Sequence, residues 1–155
     1  MPIRWMSDND AREFLCAGTE GRLATCNRAG EPYITPLNYL YREGKIYFHS
    51  KLTGRKLDNI AENSRVCFEV STPVKIDVAH DRACGCSTRY TSVLVFGAAH
   101  VLSDEKEKAA LLNLLTEKYA AGEAFQPVKE KDAAGCAVVE ISIAQISGKM
   151  NVDPE

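Results

Sequence analysis

The sequence predicts a mainly β fold of the α+β type, an antiparallel β-barrel with flanking helices. Three observations lead there. Segments rich in β-branched and aromatic residues recur along the chain between turn signals, whereas helical periodicity is confined to a few well-separated stretches. Turns rich in Gly and Pro, such as residues 28–32 and 42–44, join neighbouring strand segments closely enough for antiparallel hairpins. Residues 90–102 form a long strand candidate containing Gly97, a residue that lets a strand bend around a barrel.

Ser7 with Asp10 three residues on forms a helix-start signature, and Ala11, Phe14 and Leu15 share the face behind it, so a short first helix ends near Gly18. Trp5 or Met6 is placed to staple against that face, and Trp5 reads as a packing anchor. Residues 21–27 and 33–40 are strands around a turn. Pro36 lacks a backbone donor, which suits an edge, a bulge or a backbone facing a ligand. A third strand, 45–50, follows the turn Arg42-Glu43-Gly44. Antiparallel pairing would bring residues 36–38 and 49–50 towards one sheet end.

Thr53 is positioned as the N-cap of a helix reaching about Glu62. Strands at 65–71 and 74–78, broken at Thr72-Pro73, continue the sheet, and residues 79–88 read as a loop. After the long strand, Ser103-Asp104-Glu105-Lys106 caps a second substantial helix. Its apolar stripe is Ala109, Ala110, Leu112, Leu115 and Tyr119, and it should end at Gly122. A mixed loop, 123–135, leads to a final strand at 136–146.

The 155 residues, 45% of them hydrophobic, suit one domain spanning 1–155. Nineteen basic residues against 21 acidic give a net charge of −2, which offers no field for general nucleic-acid or anionic-membrane binding. Any anion site is therefore local. No apolar run approaches the roughly 18 residues of a membrane span and the first residues lack a signal-peptide core, so a cytoplasmic protein is expected. Cys16, Cys26, Cys67, Cys84, Cys86 and Cys136 lack the spacing of a disulfide framework and read mostly as buried thiols. Cys84 and Cys86 with His80 nearby have metal-site chemistry, but zinc ligands usually come as C-x2-C pairs with a second pair elsewhere, and no metal is expected.

The stretch His49 to Ile60 is the candidate functional centre. An aromatic strand turns there into a helix start, where Gly54 allows close backbone approach and the first-turn amides face outward. Helix starts favour acidic residues, yet Arg55 and Lys56 occupy this one. A partner anion resolves the conflict; a solvated basic turn is the alternative.

These residues resemble the pyridoxamine 5'-phosphate oxidase-like split β-barrel flavoproteins, especially the nitroimidazole-resistance branch. The resemblance spans almost the whole chain. It is carried by residues 44–50 with Gly54-Arg55-Lys56-Leu57-Asp58, by Tyr90-Thr91-Ser92-Val93 with Phe96-Gly97, by residues 104–108 and Lys118-Tyr119, and by Ser147-Gly148-Lys149. It implies a homodimer with flavin mononucleotide (FMN) sites at the subunit interface. Arg55 and Lys56 match the phosphate-binding pair. Pro36, Leu37 and Asn38 match the strand lying along the isoalloxazine ring, and His49 and Ser50 match residues beside the flavin. Arg89, Tyr90 and Ser92 match the segment approaching from the other subunit. Thr91 stands where many relatives of this branch carry Arg, and an aromatic is common around Cys84-Gly85-Cys86.

The function implied is an oxidoreductase that passes electrons from NAD(P)H through FMN to a nitroimidazole or similar small acceptor, with His49 as the candidate active-site contact. A flavin-binding protein without turnover shares every one of these residues. A haem-binding protein of the same fold, with His49 or His80 as axial ligand, is a third possibility. His100, in an apolar strand, reads as structural.

Overall fold

The structure, a computed structural model, describes residues 3–78 and 85–152. A short strand β1 (Arg4–Trp5) precedes helix α1 (Asp8–Ala17), then β2 (Glu20–Cys26), β3 (Pro32–Asn38), β4 (Leu40–Arg42) and β5 (Lys45–Ser50). Helix α2 (Arg55–Glu62) leads to β6 (Arg65–Ser71), β7 (Lys75–Asp77) and the long β8 (Ser87–Val101). Helices α3 (Glu105–Tyr119) and α4 (Glu130–Ala133) come before β9 (Ala137–Asn151).

The main sheet runs β3-β2-β6-β8-β9-β5-β4 with every pair antiparallel; β1 adds to β9, and β7 pairs with β8. The strands at its two ends, β3 and β4, are consecutive in the chain and separated by Tyr39 alone. The sheet must curl to permit this, giving a split antiparallel barrel. Curvature is concentrated where β8 shifts register against β9 between Phe96 and Gly97. A Cβ on Gly97 would lie 2.2 Å from the Ser142 carbonyl oxygen, so the bend needs glycine.

Alternation fills the barrel. Leu23, Phe48, Phe68, Val93, Val95, Val139 and Ile141 are fully buried, and Tyr39 meets Phe68 edge to face at 4.9 Å. A smaller cluster under α3 joins Tyr47 and Val138 to Ala109, Leu111 and Leu112.

Several expectations needed correction. The strand expected at 33–40 breaks at Asn38, because Tyr39 is where the chain leaves one sheet end for the other. Trp5 is 73% exposed, and Met6 packs against the core instead, beside Gly148. The last strand runs to Asn151 because Gly148 and Lys149 still find partners, Val93 and Ser92, on β8. In α3, Leu111 is buried and Ala110 exposed. That helix ends at Tyr119, before Ala121 (φ 50°) and Gly122 (φ 87°) turn the chain. Of the described cysteines none is buried: Cys16 and Cys86 are exposed and Cys26, Cys67 and Cys136 half-buried. His80 and Cys84 lie outside the described residues.

Candidate functional site

Helix α2 begins without a side-chain cap. Thr53, expected as the N-cap, is exposed and displaced from that role, because Gly54 occupies the position with φ +140°. That conformation lies in the region L side chains rarely adopt, so the hydroxyl one residue earlier is not carried over the first turn. Space around Gly54 is open, with nothing within 4 Å of where a Cβ would stand. The Gly54 carbonyl accepts from Leu57 and Asp58, while the outward-facing first turn carries exposed Arg55 and half-buried Lys56.

The other face of α2 is pinned. Leu57 and Ile60 enter the core, and the buried Asn59 donates to Thr25 Oγ1 at 3.0 Å. Thr25 in turn donates to the Tyr33 carbonyl at 3.4 Å, linking the helix to β3. The Arg55 guanidinium lies 5.0 Å from the Tyr33 ring centre and 3.7 Å from Glu31 Oε2. The Arg55 and Glu31 side chains are 51% and 64% exposed, so the ion pair holds the guanidinium weakly and leaves it exchangeable.

From this helix start β3 leads to a second feature. It is an edge strand paired with β2 alone, the setting where proline is tolerated, and its Ile34, Pro36 and Asn38 are exposed while Leu37 turns to the core. At its end Asn38 meets His49 of β5 in a cavity of about 440 Å³, as the hairpin reading anticipated. Leu112, Leu115, Ala120 and Val128 supply its apolar walls, and Thr116 and Tyr119 complete them. His49 is exposed, whereas Ser50 faces inward and is buried, its Oγ without a hydrogen-bond partner among the described residues.

The end of α3 holds the cavity in place through the strand break. The Tyr119 hydroxyl accepts from the Tyr39 N–H at 2.9 Å and lies 2.6 and 2.9 Å from the carbonyls of Thr19 and Tyr39, donating to one at a time. It therefore meets the backbone polar groups that the interruption between β3 and β4 leaves without ladder partners. Burial pushes its phenol up. Lys118 Nζ donates to the Gly18 and Tyr39 carbonyls at 2.6 and 3.1 Å and sits over the Tyr39 ring, and burial lowers its pKa. Two residues before His49, burial and then the nearby Glu140 carboxylate push the Tyr47 phenol up to about 12. Burial would raise Glu140 too, but hydrogen bonds from Lys45, Tyr47 and Ser142 outweigh it and hold the carboxyl below its usual value. Lys45 lies at 2.8 Å from it and His100 at 3.9 Å.

Arg89, Tyr90 and Ser92 do not line this cavity. Arg89 is largely buried and paired with Asp77, Lys149 Nζ lies 5.6 Å from the Tyr90 ring centre, and Ser92 stands between Ser71 and Lys149 in the sheet. Sequence reading missed Glu31 and Tyr33 beside Arg55, and Leu112, Leu115, Thr116 and Val128 beside His49. The helix stripe announced buried leucines but not which strand end they cover.

The sequence profile of the pyridoxamine 5'-phosphate oxidase family matches residues 7–150. The chain belongs to this family. Among curated proteins, an uncharacterized protein of Rhizobium meliloti (strain 1021) is 32% identical over 71 residues, 46% of each chain, so the match spans less than half of that relative. Among solved structures, a FAD-binding protein from Mesorhizobium loti is 26% identical, with TM-score 0.72 over 98% of this chain and 100% of that one. The flavocytochrome Anf3 from Azotobacter vinelandii is 27% identical, with TM-score 0.82 over 98% and 70%. A candidate 5-nitroimidazole antibiotic resistance protein from Bacteroides thetaiotaomicron shares the fold at 21% identity, with TM-score 0.80 over 97% and 89%. This family's split barrel thus has homologues that bind flavin.

Proposed function

We propose that the chain is an FMN-dependent oxidoreductase working as a homodimer, taking a hydride from NAD(P)H and delivering electrons to a small acceptor of the nitroimidazole type. The observation that carries this reading is the uncapped start of α2, where open space around Gly54 adjoins exposed Arg55 and half-buried Lys56. Backbone amides at a helix start and a guanidinium fork are a matched receptor for a phosphate. The exposed edge of β3 would lay its backbone at Pro36, Leu37 and Asn38 along the ring, with His49 at the far end and Ser50 turned inward behind it. The buried Ser50 hydroxyl has no hydrogen-bond partner among the described residues. Arg89, Tyr90 and Ser92 of the partner subunit would close the site.

Bound there, FMN supplies the hydride acceptance and electron transfer that no side chain provides. The protein's residues bind and orient. Arg55 and Lys56 hold the phosphate, the β3 backbone aligns the ring, and His49 contacts the acceptor and can hold or donate a proton at an imidazole nitrogen. A haem-binding reading is favoured by the likeness to a flavocytochrome, with His49 as ligand.

The test begins with a visible spectrum of purified protein and mass analysis of any released chromophore. Released FMN supports the reading; a Soret band without flavin supports the haem alternative. No flavin uptake from excess FMN would overturn the proposal. Steady-state oxidation of NADH or NADPH with a nitroimidazole acceptor then separates an enzyme from a passive carrier.

A further inference from the structure

We infer that the free edge of β7 is where a second copy of this chain pairs, β7 against β7 in antiparallel register about a two-fold axis at Ile76. The inference gives the homodimer proposed above a contact surface, and it rests on that part of the reading and not on the flavin.

β7 stands off the main path of the sheet and pairs with β8 alone among the described residues, so its opposite row of backbone N–H and C=O groups has no strand to bind there. An open edge of this kind is a template for another strand. Its side chains are as uncovered as its backbone, with Val74, Ile76 and Val78 being 63%, 64% and 64% exposed. Alternation puts all three on one face, and the register carries that face across the sheet. Ile76 pairs with Thr88, which shares its side of β8 with Tyr90 and Ser92. Ser92 pairs with Lys149, and Lys149 with the exposed Trp5. The apolar strip of β7 is thus continuous with Tyr90 and Ser92, the residues assigned above to the partner's site.

The opposite face of β7 says what the occupant is. Lys75 lies directly across from Arg89 on β8, like charge against like charge, and has no ion pair or hydrogen bond among the described residues. Asp77 binds Arg89 but keeps its side chain 37% exposed, with carboxylate acceptor sites to spare. The segment Val74-Lys75-Ile76-Asp77-Val78 is its own complement when turned end for end. Two copies paired about Ile76 set each Lys75 opposite the partner's Asp77 and each Val74 opposite the partner's Val78. The lysine gains the carboxylate it lacks, and the valines and isoleucines form one cross-strand ladder.

Symmetric pairing places the two Ile76 Cα atoms about 4.5–5.5 Å apart, inside the span of a disulfide. Ile76→Cys, made together with Cys16→Ser, Cys84→Ser and Cys86→Ser and oxidised in air with copper–phenanthroline, should run as a covalent dimer on a non-reducing gel. Val101→Cys in the same background, at the far end of β8, should not. Lys75→Glu should weaken self-association at least tenfold in sedimentation equilibrium, because each new carboxylate faces the partner's Asp77. The same change removes the like-charge contact with Arg89, so the protomer should keep the parent's far-ultraviolet circular dichroism. A dimeric parent in which Ile76→Cys crosslinks no better than Val101→Cys, or in which Lys75→Glu associates like the parent, would overturn the inference and leave the homodimer standing. A parent that stays monomeric would overturn both, and leave the edge to an extended segment of another protein. Flavin content is read from the visible spectrum of the same samples. A colourless protein locked at Ile76→Cys would retire the flavin reading and keep this contact; a flavin-loaded dimer that does not lock would do the reverse.

Discussion

Helices α1 and α3 begin with Ser7 and Asp104, whose side chains accept from the N–H groups of Asp10 and Glu107, and both place acids in the first turn. Helix α2 begins on Gly54, with no side-chain cap and with Arg55 and Lys56 in its first turn. At α1 and α3 the chain satisfies the helix start from within. At α2 it withholds the cap and sets Arg55 and Lys56 ahead of a single first-turn acid, Asp58, on a helix whose other face is locked to the core by Leu57, Asn59 and Ile60. The difference teaches that tertiary packing can hold a helix whose start has no side-chain cap and carries two cations, at a local cost.

The comparison can be broken most directly at Arg55. Arg55→Ala should weaken flavin binding at least tenfold, from the roughly 1.5–3 kcal/mol of a charge-assisted contact, while leaving Tm near the parent's. Fluorescence titration with FMN checks this, and unchanged affinity would end the anion-cradle reading. Gly54→Ala should destabilise the apoprotein by on the order of 1–3 kcal/mol in urea unfolding, since φ +140° is strained for any residue with a Cβ. Asp104→Ala supplies the converse: about 1 kcal/mol of stability lost with its cap, and FMN affinity untouched. Equal losses of flavin affinity in Arg55→Ala and Asp104→Ala would mean that the two helix starts are not functionally distinct.

Smaller effects sharpen the contrast. Glu31→Gln frees the Arg55 guanidinium from a largely exposed ion pair and should tighten FMN binding by less than about 1 kcal/mol. Weaker binding would make Glu31 a positioning partner rather than a competitor. Acid sensitivity should come from elsewhere. The Glu140 carboxyl is held below its ordinary 4.5, so its contribution to stability is present above that value and lost as pH falls through the lowered one. Thermal melts across this window should lose stability more steeply in the parent than in Glu140→Gln.

Much of the architecture was legible because it is written in short-range patterns. Alternation and turn residues placed β6, the Gly97 bend and the starts of α1 and α3, and the conflict between a helix start and two cations marked Arg55 and Lys56. Trp5 shows the limit of such patterns: an apolar side chain announces a wish for cover, and only the packed chain shows that Met6 takes it.

From the sequence alone came the strand and helix types and the cationic turn, which depend on neighbours within one or two turns of chain, and the family resemblance, which rests on short motifs spread along it. Tertiary structure alone decided that Tyr119 would clasp Tyr39, 80 residues away, and that α3 would roof the space between Asn38 and His49. Periodicity says which face of a helix is apolar. Which surface that face covers is set by the order of strands in the curled sheet, a property of long-range pairing that no local window contains.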